Sequence, residues 1–321
     1  MTKTYRSRFK KYIIGLVEQK HALGRDYSGG EYYLKRFDTF CIDFFPSKSI
    51  LTKNIVLKWA EAIGDEKPHS RDGRVTPVRD LARYMNGIGI DAYVLPTQIF
   101  PKKIRYIPHI FTPMELSAIF SVLDRIEPSN KCPIRHIVVP VIFRMIYCCG
   151  LRPKEGREIL RENVDLKTGK ILIQEAKNHK DRVIVLSTDM LKLSREYDEK
   201  IDDVVPGRRY FFPNSKGNPY GYLWAQRMFG LGLDNSKLSF VGNRPRVYDL
   251  RHTFATNAIF RWAKEGKDVN ARLPYLSTYL GHEHFSYTAY YIHLVPQYFS
   301  QMSEMYLSQH SHLIPEIEDE D

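Results

Sequence analysis

The sequence predicts a mainly α-helical protein, with an all-helical N-terminal domain and a mixed α/β second domain that holds one small antiparallel sheet. The 321 residues are more than one hydrophobic core usually organises, which favours two domains. Apolar residues recur at helical spacing, as at Tyr12, Ile13, Leu16 and Val17. The stretch 171–187, ILIQEAKNHKDRVIVLS, instead places two β-rich runs about a polar tip, which is typical of a hairpin.

The first domain is predicted over residues 1–95. Its expected helices cover 10–23, 32–45, 51–64 and 75–89. A basic linker is predicted at 96–110, because Pro96, Pro101 and Pro108 stand there among lysine and arginine residues. This linker is the strongest candidate for a domain boundary in the chain.

The second domain is predicted over residues 111–297. It opens with a capping box, in which Thr112 caps a helix, Pro113 takes the first helical position and Glu115 closes the box. Further helices are expected at 113–126, 134–149, 222–230, 249–263 and 273–280. A C-terminal helix and an acidic tail are predicted for 298–321.

The net charge of +11 is concentrated in the first third of the chain. Residues 1–105 hold 20 basic and 11 acidic side chains, whereas PEIEDED at the C-terminus holds five acids. A basic domain favours a polyanionic partner such as nucleic acid, although a basic surface without such a partner fits the charge alone. No apolar run reaches membrane-spanning length and the N-terminus does not resemble a signal peptide, so we expect a cytoplasmic protein.

The four cysteines are expected to be buried core thiols. They lack the paired spacing of a zinc site or a disulfide framework. Their positions are Cys41, Cys132, Cys148 and Cys149.

Two segments before the last third of the chain carry candidate functional residues. In CGLRPKEGREIL, Arg152 follows a helix-ending glycine and Glu155 lies three residues on, so both can share a helix face. A surface ion pair is the simpler interpretation of that motif alone. Lys177 and Lys180 flank the hairpin tip, where lysines are usually solvated.

The segment RVYDLRHTFATN is more informative. Tyr248 and Arg251 are spaced to point the same way near a helix start. An arginine held beside apolar residues needs an anionic partner, unless its head group reaches water. His252 is expected to be a structural hydrogen-bonding residue rather than a catalytic one.

The segment YLGHEHFSYTAYYIH at 279–293 brings three histidines and four tyrosines together. Gly281 is predicted to end one helix and Ser286 to cap the next. This break would let His282 and Tyr291 converge, whereas one continuous helix would place them on opposite faces. A zinc site would need further paired ligands, which are missing, but an aromatic core helix remains an alternative.

The order of these motifs resembles the tyrosine recombinases, the phage-integrase family of DNA strand-exchange enzymes. The resemblance rests on five features in sequence. They are Arg-x-x-Glu after a glycine, a hairpin lysine, Tyr-x-x-Arg-His-Thr-Phe-Ala-Thr, Leu-Gly-His, and a tyrosine nine residues after that histidine. It covers residues 110–300, and it implies that the helical first domain is a DNA core-binding domain.

The resemblance implies a reaction in which a tyrosine attacks a DNA phosphodiester and forms a 3′-phosphotyrosyl link, with neither metal nor ATP. Double-stranded DNA and a homo-oligomer, a tetramer in the synapse, are the implied partners. The implied catalytic residues are Arg152, Lys177, Tyr248, Arg251, His282 and Tyr291, with Glu155 in support.

One position departs from the family pattern, because Tyr248 stands where histidine is usual. A phenol, with an ordinary pKa of about 10, is a poor base at neutral pH. Tyr290 is a rival nucleophile, but the nine-residue step selects Tyr291. Two other functions remain open at this point: type IB topoisomerase activity, and DNA binding without catalysis.

Overall fold

The computed structural model describes residues 4–101, 106–174, 181–240 and 242–294. The chain divides into two compact units, Met1–Tyr106 and Ile107–Asp321. The division falls within the predicted linker, of which residues 102–105 lie outside the described part. No helix in the described ranges is long and apolar enough to cross a membrane.

Within its described residues, the first unit is a bundle of four α-helices. They are α1 (Lys10–Ala22), α2 (Ser28–Phe44), α3 (Lys53–Trp59) and α4 (Pro68–Gly87). Helices α1 and α2 both pack on α4 around a buried aromatic and aliphatic core. Helix α4 begins at Pro68, seven residues before its predicted start. Proline is favourable in the first turn of a helix, and the later Pro77 lies inside α4.

The second unit holds eight helices within the described ranges. They are α5 (Pro113–Leu123), α6 (Arg135–Cys148), α7 (Pro153–Glu158), α8 (Thr188–Asp202), α9 (Tyr222–Asn235), α10 (Val247–Lys264), α11 (Val269–Leu280) and α12 (Ser286–Ala289). Helix α6 packs against α8 and α10, and α5 packs against α9. A 3₁₀ turn at Tyr290–Leu294 follows α12.

In the part of the chain that the structure describes, the sheet has three antiparallel strands in the order β1 (Val164–Asp165), β2 (Lys170–Ile173) and β3 (Arg182–Val185). Ile171 pairs with Ile184, and both side chains point into the core. The mainly α fold with one small antiparallel sheet is confirmed. The hairpin tip at 175–180, which includes Lys177 and Lys180, lies outside the described residues.

Several local predictions can be compared with the structure. The capping box is confirmed: Thr112 Oγ1 accepts from the Glu115 amide at 3.2 Å, and Glu115 Oε2 accepts from the Thr112 amide at 2.7 Å. Helix α8 was not predicted, although Met190, Tyr197 and Ile201 give it a buried face. The predicted C-terminal helix and tail lie outside the described residues.

Two local predictions are wrong. Ser286 does not cap α12, because the helical turn already begins at Phe285 and makes no side-chain cap. The cysteines are not all buried: Cys148 is exposed and Cys132 half-buried. Cys148 lies one turn after Arg144 on α6, so it shares the outer face of that helix.

Candidate active site

The centre of the site is the buried carboxylate of Glu155, in the first turn of α7. Pro153 holds the first helical position, and Arg152 precedes it with an extended backbone. Glu155 Oε2 accepts from the Arg152 amide at 2.8 Å, and Oε1 accepts from Arg152 Nη1 at 2.6 Å. The exposed fractions are 8% for Glu155 and 17% for Arg152, so a surface ion pair is excluded.

A second arginine binds Glu155 from the sheet. Arg182, the first residue of β3, donates to both carboxylate oxygens, at 3.0 and 2.7 Å. Its Nε donates to the Tyr279 carbonyl oxygen at 2.9 Å. Arg182 was not among the predicted site residues, although it lies five residues after Lys177.

Arg251 on α10 is the third arginine of this cluster. It is fully buried and donates to the carbonyl oxygens of Gly150 at 2.8 Å and Leu280 at 2.6 Å. Its Nη1 lies 3.8 Å from Glu155 Oε2. The two carbonyls end α6 and α11, where the helix dipole favours a cation. Arg251 therefore does not extend its head group to water, as one interpretation of the sequence allowed.

Two glycines shape the loops that receive these arginines. Gly150 and Gly281 both have left-handed backbones, with φ of +59° and +65°. A Cβ on Gly150 would lie 2.4 Å from the Phe254 ring, and one on Gly281 would lie 3.1 Å from Arg182 Nη1. Glycine is thus favoured at both helix ends by conformation, and at Gly150 by space as well.

The structure brings His282 and Tyr291 together after the helix break at Gly281. Their rings stack with centroids 6.0 Å apart and planes at 19°. Tyr291 is only 2% exposed, and its Oη lies 3.2 Å from His252 Nδ1. His282 Nδ1 lies 2.7 Å from Oγ1 of the buried Thr288.

The pKa values of these groups follow from burial among guanidinium groups. Burial and the charges of Arg251 and other arginines lower the pKa of His282 to about 3. Burial also lowers the pKa of His252 to about 4, with help from the charges of Arg246 and Arg251. Both imidazoles are therefore neutral at pH 7.

The two groups that titrate as acids respond differently to their surroundings. Burial raises the pKa of Tyr291 to about 12, although Arg251 opposes the shift. Burial would raise the pKa of Glu155, but hydrogen bonds and charge from Arg182, with the charge of Arg251, hold it below its ordinary value. Tyr291 is thus a phenol and Glu155 a carboxylate at neutral pH.

The remaining predicted residues lie around this centre. Tyr248 is half-buried, with its ring centroid 5.0 Å from that of His252. The ring of Tyr290 is 6.3 Å from that of Tyr291. Tyr287 is 52% exposed, so it is not a packing residue of an aromatic core helix. Lys177 lies outside the described residues.

The mainly α fold with one small antiparallel sheet matches that of tyrosine recombinases, and the class inferred from the motif order is confirmed by the comparisons that follow. Residues 110–297 match the model of the phage integrase family, and the chain belongs to that family. A similar protein is a putative integrase/recombinase, y4rE, of Sinorhizobium fredii. It is 28% identical over 287 residues, which span 86% of this chain and 88% of the relative.

Two solved structures show the same fold. One is the XerH site-specific recombinase bound to a palindromic difH substrate, in a post-cleavage complex. It has a TM-score of 0.63 and 18% identity over 91% of this chain and 82% of that one. The other is a lambda integrase tetramer bound to a Holliday junction. Its TM-score is 0.59, with 16% identity over 88% of this chain and 76% of that one.

Proposed function

We propose that this chain is a site-specific DNA recombinase or integrase that cuts and rejoins DNA through a 3′-phosphotyrosyl link at Tyr291. The position of Tyr291 carries the proposal: its hydroxyl interacts with Arg251, and Arg251 shares Glu155 with Arg152. A phosphodiester is an anion, and guanidinium groups bind its oxygens through paired donors. A nucleophilic hydroxyl next to such a site is placed for attack on phosphorus.

Arg152 and Arg251 are the proposed phosphate-binding groups. Arginine carries five N–H donors. The side chain of Arg251 donates to the carbonyls of Gly150 and Leu280, and that of Arg152 donates to Glu155 and the Gly281 carbonyl. Donors remain on both side chains for the non-bridging oxygens of a phosphate. Each is expected to lower the barrier by about 3–4 kcal/mol, because it stabilises charge that grows in the transition state.

The burial of Arg251 has a consequence for this proposal. Since this side chain has no exposed surface, a phosphate can reach it only if neighbouring residues shift. DNA binding is therefore expected to be coupled to a local rearrangement around Arg251.

The other site residues have proposed supporting roles. Lys177 would give a proton to the leaving 5′-oxygen, as the family resemblance implies. His282 and Tyr248 would donate hydrogen bonds to the phosphate. Glu155, together with Arg182, would hold the arginines in position. Its carboxylate accepts two hydrogen bonds from Arg152 and two from Arg182, and the latter pair joins α7 to β3.

Double-stranded DNA is the proposed substrate, and a homo-oligomer, tetrameric in the synapse, is the proposed active form. The basic charge of residues 1–105 supports attraction to DNA. The lambda integrase structure with a similar fold is a tetramer on a junction, which supports the oligomer. The relative and both structures compared above are recombinases or integrases, and this favours strand exchange over topoisomerase activity or DNA binding alone.

Covalent capture of DNA tests the proposed chemistry. A pool of nicked duplexes with randomised sequence is incubated with wild type, Tyr291→Phe and Tyr290→Phe, and denatured protein is examined for attached DNA. Loss of a short fragment beside the nick traps the intermediate. We expect an adduct with wild type and Tyr290→Phe but not with Tyr291→Phe. An adduct that persists in Tyr291→Phe would exclude this nucleophile.

The captured duplexes then separate the competing functions. Strand exchange between two captured sequences supports a recombinase, whereas relaxation of a supercoiled plasmid without exchange would support a topoisomerase. Wild type that retains duplexes only reversibly, with no adduct, would indicate DNA binding without catalysis.

A further inference from the structure

His252 lies against the proposed nucleophile. Its Nδ1 is 3.2 Å from Tyr291 Oη, and the two ring centroids are 5.5 Å apart. His252 stands one helical turn after Tyr248 on α10, so both side chains lie on the same face of that helix. Helix α10 therefore places the imidazole of His252 beside Tyr291, although position 248 is a tyrosine.

The surroundings of Tyr291 determine the direction of this hydrogen bond. The positive charge of Arg251 favours loss of the Tyr291 proton, which makes this hydroxyl a stronger hydrogen-bond donor. A phenol is a stronger acid than the N–H of a neutral imidazole, so the Tyr291 hydroxyl donates and His252 Nδ1 accepts. Because His252 is neutral at pH 7, its Nδ1 can carry the lone pair that accepts this hydrogen.

Other groups near Tyr291 are less well placed to accept a proton. The His282 ring lies nearly parallel to the Tyr291 ring, with centroids 6.0 Å apart, and its Nδ1 is already paired with Thr288. The carboxylate of Glu155 accepts hydrogen bonds from Arg152 and Arg182.

We propose that His252 Nδ1 accepts the proton of Tyr291 Oη as that oxygen attacks the DNA phosphorus. This role rests on Tyr291 as the nucleophile. The O–H bond of Tyr291 breaks and its proton passes to Nδ1, while the Oη–P bond forms. The P–O5′ bond then breaks, and the leaving oxygen takes a proton from Lys177. In rejoining, the His252 imidazolium returns its proton to Oη.

The charge of the substrate favours this transfer. The positive charges of Arg251 and Arg246 oppose protonation of His252. A bound phosphodiester places a negative charge beside Arg251 and offsets this repulsion. The imidazole thus becomes a better base when the substrate is present, and the phenol stays protonated when it is absent.

The test uses duplexes already captured by wild type, each made in two forms: one with the normal 5′-oxygen at the cleavage site and one with sulfur in its place. A thiolate leaves without a proton, so the sulfur form removes the need for Lys177 alone. His252→Asn keeps a side chain that can accept a hydrogen bond but cannot take up a proton. Lys177→Ala is the matched control.

We expect His252→Asn to slow single-turnover cleavage about 100-fold or more on both substrates. Lys177→Ala should be slow on the oxygen form and recover on the sulfur form. The single-turnover rate constant does not depend on the fraction of folded protein. Cleavage by His252→Asn within about threefold of wild type, or its recovery on the sulfur form, would contradict a proton acceptor at His252.

Two further measurements separate this proposal from the proposed function. An adduct in Tyr291→Phe would contradict the nucleophile itself, whereas a wild-type rate in His252→Asn contradicts only the role of His252. Nitrogen NMR of histidine-labelled protein without DNA, assigned with His252→Asn, reports the tautomer. We expect a proton on Nε2 and none on Nδ1 at pH 7, and a protonated Nδ1 would exclude the proposed acceptor.

Discussion

Replacing Glu155 by glutamine would leave three arginines around a group that no longer carries a negative charge. Four hydrogen bonds end on the Glu155 carboxylate, at 2.6–3.0 Å, and Arg251 lies 3.8 Å away. Arg182 and Glu155 are each 8% exposed and Arg251 is fully buried, so water cannot replace the lost charge. The substitution therefore leaves buried guanidinium groups uncompensated.

The expected cost follows from this burial. Removing one partner of a buried ion pair destabilises a protein by about 3–5 kcal/mol. For a unit of this size, each kcal/mol lowers the melting temperature by about 2–4 °C, so the expected shift is roughly 6–20 °C. Glu155→Gln should also cleave DNA slowly, because Arg152 and Arg251 lose their common support.

The assay is calorimetry of the full chain, with Glu158→Gln as the matched control. Glu158 lies on the same helix but is 37% exposed, and its ion pairs are 3.7 and 3.8 Å long. Its replacement should change the free energy of unfolding by no more than about 0.5 kcal/mol. Equal melting temperatures for the two variants would refute the structural role of Glu155.

The stabilisation that Glu155 provides is expected to depend on pH. The pKa of Glu155 is lower in the folded protein than its ordinary value of 4.5. Its stabilisation is therefore complete above that value and is lost as the pH falls through the lower, folded pKa. The difference in melting temperature between wild type and Glu155→Gln should be constant from about pH 5 to 7 and shrink in more acidic buffer.

Two other substitutions test the loops and the phosphate site. Gly281→Ala and Gly217→Ala should each lose about 1–2 kcal/mol of stability, because both glycines have a left-handed backbone. Only Gly281→Ala should also slow cleavage, because its Cβ would lie 3.1 Å from Arg182 Nη1. Gly217 has φ of +75° and open space around it, so equal cleavage rates would exclude the contact. Arg251→Lys should slow single-turnover cleavage about 100-fold or more while DNA binding, measured by mobility shift, persists, because an ammonium cannot replace the fork of donors. Cleavage at the wild-type rate would exclude this role.

The sequence predicted those features that depend on local patterns. The capping box at Thr112, the helix ends at Gly150 and Gly281 and the hairpin each have a short signature, and the structure contains them all. The order of motifs along the chain also assigned Arg152 and Arg251 to one predicted active site. Because they are about a hundred residues apart, only the family resemblance linked them.

The features that sequence analysis missed depend on contacts between distant segments. Arg182 is a single arginine at a strand start, and its role appears only when β3 lies beside α11, where it reaches Tyr279, 97 residues away. His252 and Tyr291 are 39 residues apart in the sequence, so no helical spacing predicted their contact. Polar residues acquire such roles from tertiary packing, which helical periodicity does not encode.

The most direct measurement of the central claim is the identity of the residue that carries DNA. Captured wild-type adducts are trimmed with nuclease and protease, and fragmentation in a mass spectrometer locates the nucleotide on the peptide. We expect a nucleotide linked through its 3′-phosphate to Tyr291. Attachment to Tyr290, to Tyr287 or to any residue outside this segment, or a link through a 5′-phosphate, would contradict it.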